Sequence, residues 1–306
     1  MTCFQSTIFN SYCQALTTQT GRFQTDRLHL HFLDQTDSTN RVAWEILTQH
    51  DRPQQDRPQH EYPQIFLVIA DRQTAGRGQW GRSWQSELGG LYLSLGISNP
   101  PHLPIPLDRL GLMPFFSAWG VAQGLHQHHI PVSLKWPNDL LLNRQKLGGI
   151  LVESRCGYSN LNQTLDQNLN QNLNQNLHQK DLSQKESNPG IVIGIGLNWQ
   201  NDPPERAIAL DAYQQQNHLD SIECLEHLAA IVLDGLIWGY QLASNPQTSL
   251  VDFIQQYDSV LADRGAWIST GSEVGKILGI TSTGALRVDI NGVEQTFLPG
   301  TLRLGL

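Results

Sequence analysis

"ADRQTAGRGQWGRSW" spans Ala70–Trp84 and lies between two apolar runs, IFLVIAD (Ile65–Asp71) and GLYLSLGIS (Gly90–Ser98). Gly76, Gly78 and Gly81 spell GxGxxG behind a run that reads as a buried strand. A dinucleotide fingerprint must open a helix whose N-terminus receives the pyrophosphate. Here Gly89-Gly90 and a further strand follow within ten residues, so no crossover helix fits. A nucleotide P-loop needs Lys-Ser or Lys-Thr after its glycines, and none is present. The loop therefore joins two strands, and Arg77 and Arg82 among three glycines prepare it for an anion by another scheme.

The chain has 306 residues, enough for one large unit and a small one, and 39% are hydrophobic. Its net charge of -8 argues against a general binder of nucleic acids or membrane surfaces, so any anion is held by local charge. Cys3, Cys13, Cys156 and Cys224 lack CxxC spacing and read as free thiols of a reducing compartment. No signal peptide is visible, and the most apolar helical stretch, Leu225 to Ala243, is interrupted by Asp234 and too short to span a bilayer. A soluble cytoplasmic protein is expected.

Residues 1–26, rich in Thr and Gln, look poorly specified. LHLHFL (Leu28–Leu33) reads as a strand with His29 and His31 on one face, and Thr36, Asp37 and Ser38 are capping candidates for a helix to about His50. The prolines of Asp51–Gln64 mark a loop. Asp108–Gln127 suits one helix, whose end at His126, His128 and His129 reads as solvated. Val132–Trp136, Asp139–Asn143, Leu147–Ser154 and Gly190–Trp199 read as strands, and Leu225–Tyr240 has the spacing of a helix packed on a core. Between them leucine recurs every fourth residue from Leu161 to Leu177 among Asn and Gln, a stripe that drifts around a helix; residues 157–189 read as a low-complexity insertion. After Leu261 short strands alternate with Gly and Asn-Gly turns, as in a small β-barrel over 262–306.

Three further stretches carry chemistry. LKWPNDLLL places Lys135, Asn138 and Asp139 at a strand–turn–strand junction, and KLGGILVE places Lys146 before a strand opening with Gly148-Gly149. GIGLNW ends a buried strand with Gly194, Gly196 and Asn198. Paired strand glycines mark the close approach of a ligand or another backbone. Each stretch alone also suits a solvated lysine or a bulge; together with the arginine-glycine loop they form a set at strand ends.

STN, GRGxxGRxW, KWPND, KLGGILVE and GIGLN, in this order, resemble the biotin–protein ligases from about Asp37 to the C-terminus. The resemblance implies an α/β (α+β) mixed-sheet catalytic domain related to class II synthetases, here 27–261, followed by an SH3-like β-barrel. It implies a biotin–[acetyl-CoA-carboxylase] ligase that uses ATP and Mg²⁺ to make biotinyl-5′-adenylate. The biotin then passes to a lysine of a carrier domain such as that of acetyl-CoA carboxylase, with the enzyme a monomer or homodimer. A carboxylate and a nucleotide phosphate repel, so the reaction needs cations: Arg77, Lys135 and Lys146 are the implied catalytic residues. Ser38, Thr39, Asn40, Gln73, Gly76, Arg77, Lys146, Gly148 and Gly149 are implied at biotin. Arg77, Gln79, Arg82, Trp84, Lys135, Asn138 and Asn198 are implied at ATP or the adenylate, and Asp139 at Mg²⁺, though Asp139 also suits a turn cap. Many bacterial relatives carry arginine where Gln79 stands. The base that frees the carrier lysine is open between Asp139 and solvent.

Some members add an N-terminal helix-turn-helix. The 36 residues before Asp37 are too few for one and lack a basic recognition helix, so a short form without DNA binding is expected. The alternatives are a lipoate or octanoate ligase or transferase of related fold, against which KWPND speaks, and a non-catalytic biotin-binding module, against which the retained lysines, Asp139 and Arg77 speak.

Overall fold

A computed structural model describes residues 4–22, 28–50, 65–98, 105–155, 190–271, 273–302 and 304. The low-complexity stretch 157–189 and the proline-rich loop 51–64 lie outside the described residues. Seven strands form the main sheet: β1 (Leu28–Leu33), β2 (Ile65–Ala70), β3 (Leu91–Ser98), β4 (Ser133–Lys135), β5 (Asp139–Leu142), β6 (Gln145–Arg155) and β7 (Gly190–Leu197). Their order is β1-β2-β3-β7-β6-β5-β4. Only β1 and β2 are parallel, and every other neighbour is antiparallel. The arginine-glycine loop therefore joins the antiparallel pair β2 and β3, as the missing crossover helix requires.

Strand periodicity divides the sheet into two faces. Leu91, Leu93, Leu95 and Ile97 of β3 and Ile191, Ile193, Ile195 and Leu197 of β7 enter the larger core. Helices α4 (Met113–Gln127) and α6 (Leu225–Ser244) pack into the same core. On the opposite face α2 (Thr39–His50) sets Ala43, Trp44 and Leu47 against Phe66, Val68 and Val192. The helix expected over Asp108–Gln127 is two helices, α3 (Leu107–Leu110) and α4, because Gly111 and Leu112 intervene and Pro114 lacks the amide that would continue the first. Two short helices, α5 (Leu210–Gln216) and α7 (Leu250–Ser259), had no element assigned from sequence.

Residues 1–26 require a correction. Ser6–Thr20 form α1, which buries Phe9 and Cys13. Phe4 stacks on Phe32 with centroids 5.1 Å apart, and Tyr12 stacks on His227 at 4.3 Å. Arg22 pairs with Asp234 of α6 and lies over Trp238. The signal was the spacing of Phe9, Tyr12, Cys13 and Leu16, one helical face hidden by polar Thr and Gln. The solvated-end reading of His126–His129 is also corrected. His126 Nε2 lies 2.6 Å from the Val132 carbonyl, half-buried His128 meets His227 edge-on, and only His129 is exposed. Cys13 and Cys224 are free thiols.

The small all-β unit expected after Leu261 is a second, antiparallel sheet of β8 (Trp267–Ser269), β9 (Val274–Ile280), β10 (Leu286–Ile290) and β11 (Val293–Phe297). Asn291 and Gly292, at φ 54° and 84°, form its expected hairpin turn. This sheet is tied to the main one where Trp136 Nε1 donates to the Gly284 carbonyl at 2.9 Å and the Ile280 amide donates to Asp258 at 3.0 Å. Among the described residues no helix is long and apolar enough to cross a membrane.

Helices α4 and α6 touch through glycine. A Cβ on Gly235 would lie 2.7 Å from the Gly120 carbonyl oxygen and 2.8 Å from Val121 Cα, both backbone atoms that cannot swing aside. Gly235→Val is expected to lower unfolding free energy by about 3 kcal/mol, the upper part of the overpacking range, as read by urea denaturation.

Candidate active site

One cavity of about 780 Å³ opens on the α2 side of the sheet. Its floor follows from strand register. Gly149, Leu151 and Glu153 of β6 pair with Gly196, Gly194 and Val192 of β7, which in turn pair with Tyr92, Ser94 and Gly96 of β3. Residues sharing a row project to the same face. On this face β7 carries no side chain at Gly194 or Gly196. A Cβ at Gly194 would collide with Asn40 Oδ1, and one at Gly196 with the Trp84 indole nitrogen. The glycines let a helix side chain and a loop side chain lie directly on the sheet.

Lys146 reaches this face through an irregularity. Leu140 pairs with Gly148 but Leu141 pairs with Lys146, so Leu147 is an extra residue in β6. Such a bulge re-aims the side chains beyond it. Without it Lys146 would share a face with Gly148; with it, Lys146 joins Gly149. Its Nζ lies 2.7 Å from Asp139 Oδ1 and 5.3 Å from the centre of the Trp84 ring.

Ser38, Thr39 and Asn40, at the start of α2, are all buried and line the cavity with Gln73. Ser38 ends its own turn, since its carbonyl accepts the Val42 amide and its amide donates to Asp37. Gln73 Oε1 accepts the Thr39 amide at 2.8 Å, and its Nε2 donates to Ser86 Oγ at 2.8 Å. Ser94 Oγ lies 2.7 Å from Thr39 Oγ1 and 2.6 Å from Asn40 Oδ1. Asn40 Nδ2 donates to Glu153 Oε2 at 2.8 Å, and Arg77 Nη2 reaches Glu153 Oε1 at 3.1 Å.

The cavity is also lined by cations. Arg77, Gln79, Arg82 and Trp84 come from the loop, and Lys135, Asn138 and Asp139 from the β4–β5 junction. The loop folds back on itself: the Gly78 amide donates to the Arg82 carbonyl at 2.7 Å and the Trp84 amide to Gly76 at 2.9 Å. Trp80 sits at its tip in the left-handed region, φ 55°, with its indole against Gly300. Lys135 is 7% exposed. Burial pushes its ammonium pKa below the usual lysine range, and Asp139 and Asp263 oppose that shift. Among the described residues no three His, Cys, Asp or Glu side chains gather as a metal cage. Asp139 alone matches the demand of a magnesium ion that arrives with phosphate oxygens and takes one or two carboxylates.

Three of the expected residues, Gly76, Gly148 and Asn198, do not line the cavity. Gly76 is packed under the loop, where a Cβ would lie 2.6 Å from Ser86 Oγ; Gly148 packs on Leu197. Buried Asn198 turns away, its Oδ1 accepting from Asn201 at 3.0 Å and its Nδ2 donating to the Lys146 carbonyl at 3.5 Å. It is a strand-end clamp. Asn138 lines the cavity, but its Nδ2 donates to the Ile150 carbonyl at 2.6 Å and so fastens β5 to β6. Sequence reasoning missed Glu153, Gly194 and Gly196 as site residues, although all three stand inside motifs it singled out. It also missed Gly300, Leu302 and Leu304, which close the cavity from beyond the second sheet and carry no motif of their own.

Residues 33–166 match the profile of the "Biotin/lipoate A/B protein ligase family". The bifunctional ligase/repressor BirA of Bacillus subtilis is 34% identical over 177 residues, 57% of this chain and 42% of that protein. The biotin–[acetyl-CoA-carboxylase] ligase of Mycobacterium tuberculosis is 34% identical over 144 residues, 45% of this chain and 41% of that protein. The chain thus spans about two-fifths of the length of these curated relatives. Among solved structures, the biotin protein ligase from Aquifex aeolicus in complex with biotin and ATP superposes with a TM-score of 0.59 at 24% identity, covering 89% of this chain and 97% of that one. This likeness establishes the fold, a mixed-sheet domain with a C-terminal β unit.

A buried ammonium costs stability at neutral pH. That cost disappears as pH rises from the depressed folded value towards the ordinary one of about 10.4, because the unfolded state then holds the extra proton. Lys135→Met is therefore expected to unfold at the same urea concentration as the parent or higher at pH 7, with the gap shrinking as pH approaches about 10. A variant weaker by more than about 1 kcal/mol at pH 7 would show that the charge holds the fold instead.

Proposed function

We propose that this chain, whose residues 33–166 match the biotin/lipoate A/B protein ligase family, activates biotin with ATP and transfers it to a lysine of a carrier domain. The observation that carries the reading is one cavity lined by four cations, Arg77, Arg82, Lys135 and Lys146, together with the neutral polar side chains of Ser38, Thr39, Asn40 and Gln73. A cyclic urea supplies two N–H donors and a carbonyl to those polar groups. The dithiolane of lipoate has neither and would leave buried polar groups unpaired, at about 1–3 kcal/mol each.

In the first step a carboxylate oxygen of biotin bonds to the α-phosphorus of ATP as the bond to pyrophosphate breaks. Lys146 stands where both anions meet, and Lys135 faces the phosphates. Each reduces a repulsion that would otherwise hold the reactants apart. Asp139, paired with Lys146 at 2.7 Å, is the residue that would hold magnesium once substrate oxygens took its place at the ammonium, and the ion would supply neutralisation of phosphate charge. Arg77 and Arg82 hold the adenylate under the loop, and the loop keeps water from the mixed anhydride. In the second step the carrier lysine attacks the acyl carbon and AMP leaves. On this reading 27–261 is the catalytic unit and 262–306 a β unit that closes over the nucleotide, and the enzyme works in the cytoplasm on a biotin carboxyl carrier domain.

Incubation with biotin, MgATP and a purified carrier domain should add one biotin to the carrier lysine by mass spectrometry, with pyrophosphate released. Lys146→Ala should lower the pyrophosphate rate by about 10²–10³. Lipoylation in place of biotinylation would overturn the reading. Gln79 lines the cavity, and its Oε1 is buried with no hydrogen-bond partner among the described residues. It cannot offer the charge of an arginine, so Gln79→Arg should slow dissociation of biotinyl-adenylate, measured by stopped-flow chase. Equal rates would remove Gln79 from any role in retention.

A further inference from the structure

We infer that Glu153 is a positioning residue that sets the direction of the hydrogen bonds among the neutral polar side chains of the cavity and, through the same carboxylate, holds Arg77. The inference rests on the biotin reading above. Glu153 itself is absent from the cavity wall. It stands in β6 beside the row that pairs with Gly194, and its side chain receives two donors. Asn40 Nδ2 approaches Oε2 at 2.8 Å, while Arg77 Nη2 lies 3.1 Å from Oε1 and 3.3 Å from Oε2.

The direction follows from what each group can do. A carboxylate only accepts, so Asn40 must present its amide nitrogen to Glu153 and its oxygen to Ser94. That oxygen also only accepts, so the single hydroxyl hydrogen of Ser94, fully buried, goes to Asn40 across 2.6 Å. The 2.7 Å contact between Ser94 Oγ and Thr39 Oγ1 then draws on the hydrogen of Thr39, which Gln73 Oε1 also approaches at 3.1 Å. With that hydrogen engaged between Ser94 and Gln73, Thr39 Oγ1 can only accept from anything else. Gln73 Oε1 accepts the Thr39 amide at 2.8 Å and lies 3.1 Å from Thr39 Oγ1, and its Nε2 donates to Ser86. Ser86 Oγ ends the series on the Trp84 carbonyl at 3.3 Å. The series starts at Arg77 and finishes at Trp84, both on the arginine-glycine loop. Thr39 therefore meets the ring as an acceptor for an N–H, and the same carboxylate that decides this also places the loop arginine.

The chemistry supplies a test by exchange. In Glu153→Gln one of the two incoming donors, Asn40 or Arg77, faces an NH₂ group. In Asn40→Asp two carboxylates face each other. In the double variant the carboxylate introduced in α2 accepts from Ser94 and from the amide introduced in β6. The oxygen of that amide accepts from Arg77, so every donor again has an acceptor. Biotin titration calorimetry on the full chain should show binding about tenfold weaker for E153Q and weaker still for N40D. The double variant should return to within about threefold of the parent. Urea denaturation without ligand should show the same rescue in midpoint, which reports the network independently of biotin. E153Q binding biotin like the parent, or a double variant no better than the worse single one in both measurements, overturns the inference. A parent chain that fails to bind biotin overturns the functional reading and the ring-binding part of this inference, while the denaturation cycle still decides the direction of the network.

Discussion

The strand residues Gly149, Gly194 and Gly196 set what the rest of the site can be. A sheet face normally bristles with side chains, and a ligand laid on it would meet them first. Here adjacent strands have none at those positions, and Asn40 and Trp84 approach to distances a methyl group would forbid. The bulge at Leu147 adds the one long side chain this face needs by turning Lys146 onto it. The polar helix start at Ser38–Asn40 and the arginine-glycine loop are fitted around that bare area, and their positions make sense only with it.

Charge is distributed with the same economy. The chain is acidic overall, yet the cavity draws Arg77, Arg82, Lys135 and Lys146 from the loop and the ends of β4 and β6. Lys146 is held by Asp139 and Arg77 by Glu153. A paired cation is kept in place, and the attraction of its carboxylate offsets part of the cost of desolvating it. The half-buried pairs also keep the four cations from repelling one another before substrate is present.

Much of this was legible in residues. The short distance from Gly81 to the next strand excluded the nucleotide-binding crossover and forced an antiparallel neighbour, which β2 and β3 are. KWPND, KLGG and GIGLN were recognisable as a set because lysines, polar residues and paired glycines recur together at strand ends. Asn198 and Gly148 show the limit of that recognition: a residue in a motif can serve the backbone around a site as well as the ligand, and a string of letters does not separate the two. Glu153 was hidden for the converse reason, since its importance lies in two donors that arrive from elements more than seventy residues away in sequence. The bulge was equally invisible, because an extra residue in a strand is defined only by its partner. Helix α1 escaped because its apolar face is four residues wide in an otherwise polar segment.

The walls of the cavity run from Ser38 to Leu304, and Trp80 at the tip of the loop rests on Gly300. Nearly the whole described chain must be in place before the chamber is whole. Contacts that distant in sequence form late and slowly in folding. Whatever settles inside then acts as a non-covalent tether between the main sheet and the last residues of the second one. By mass action, opening either part would first require that the occupant leave.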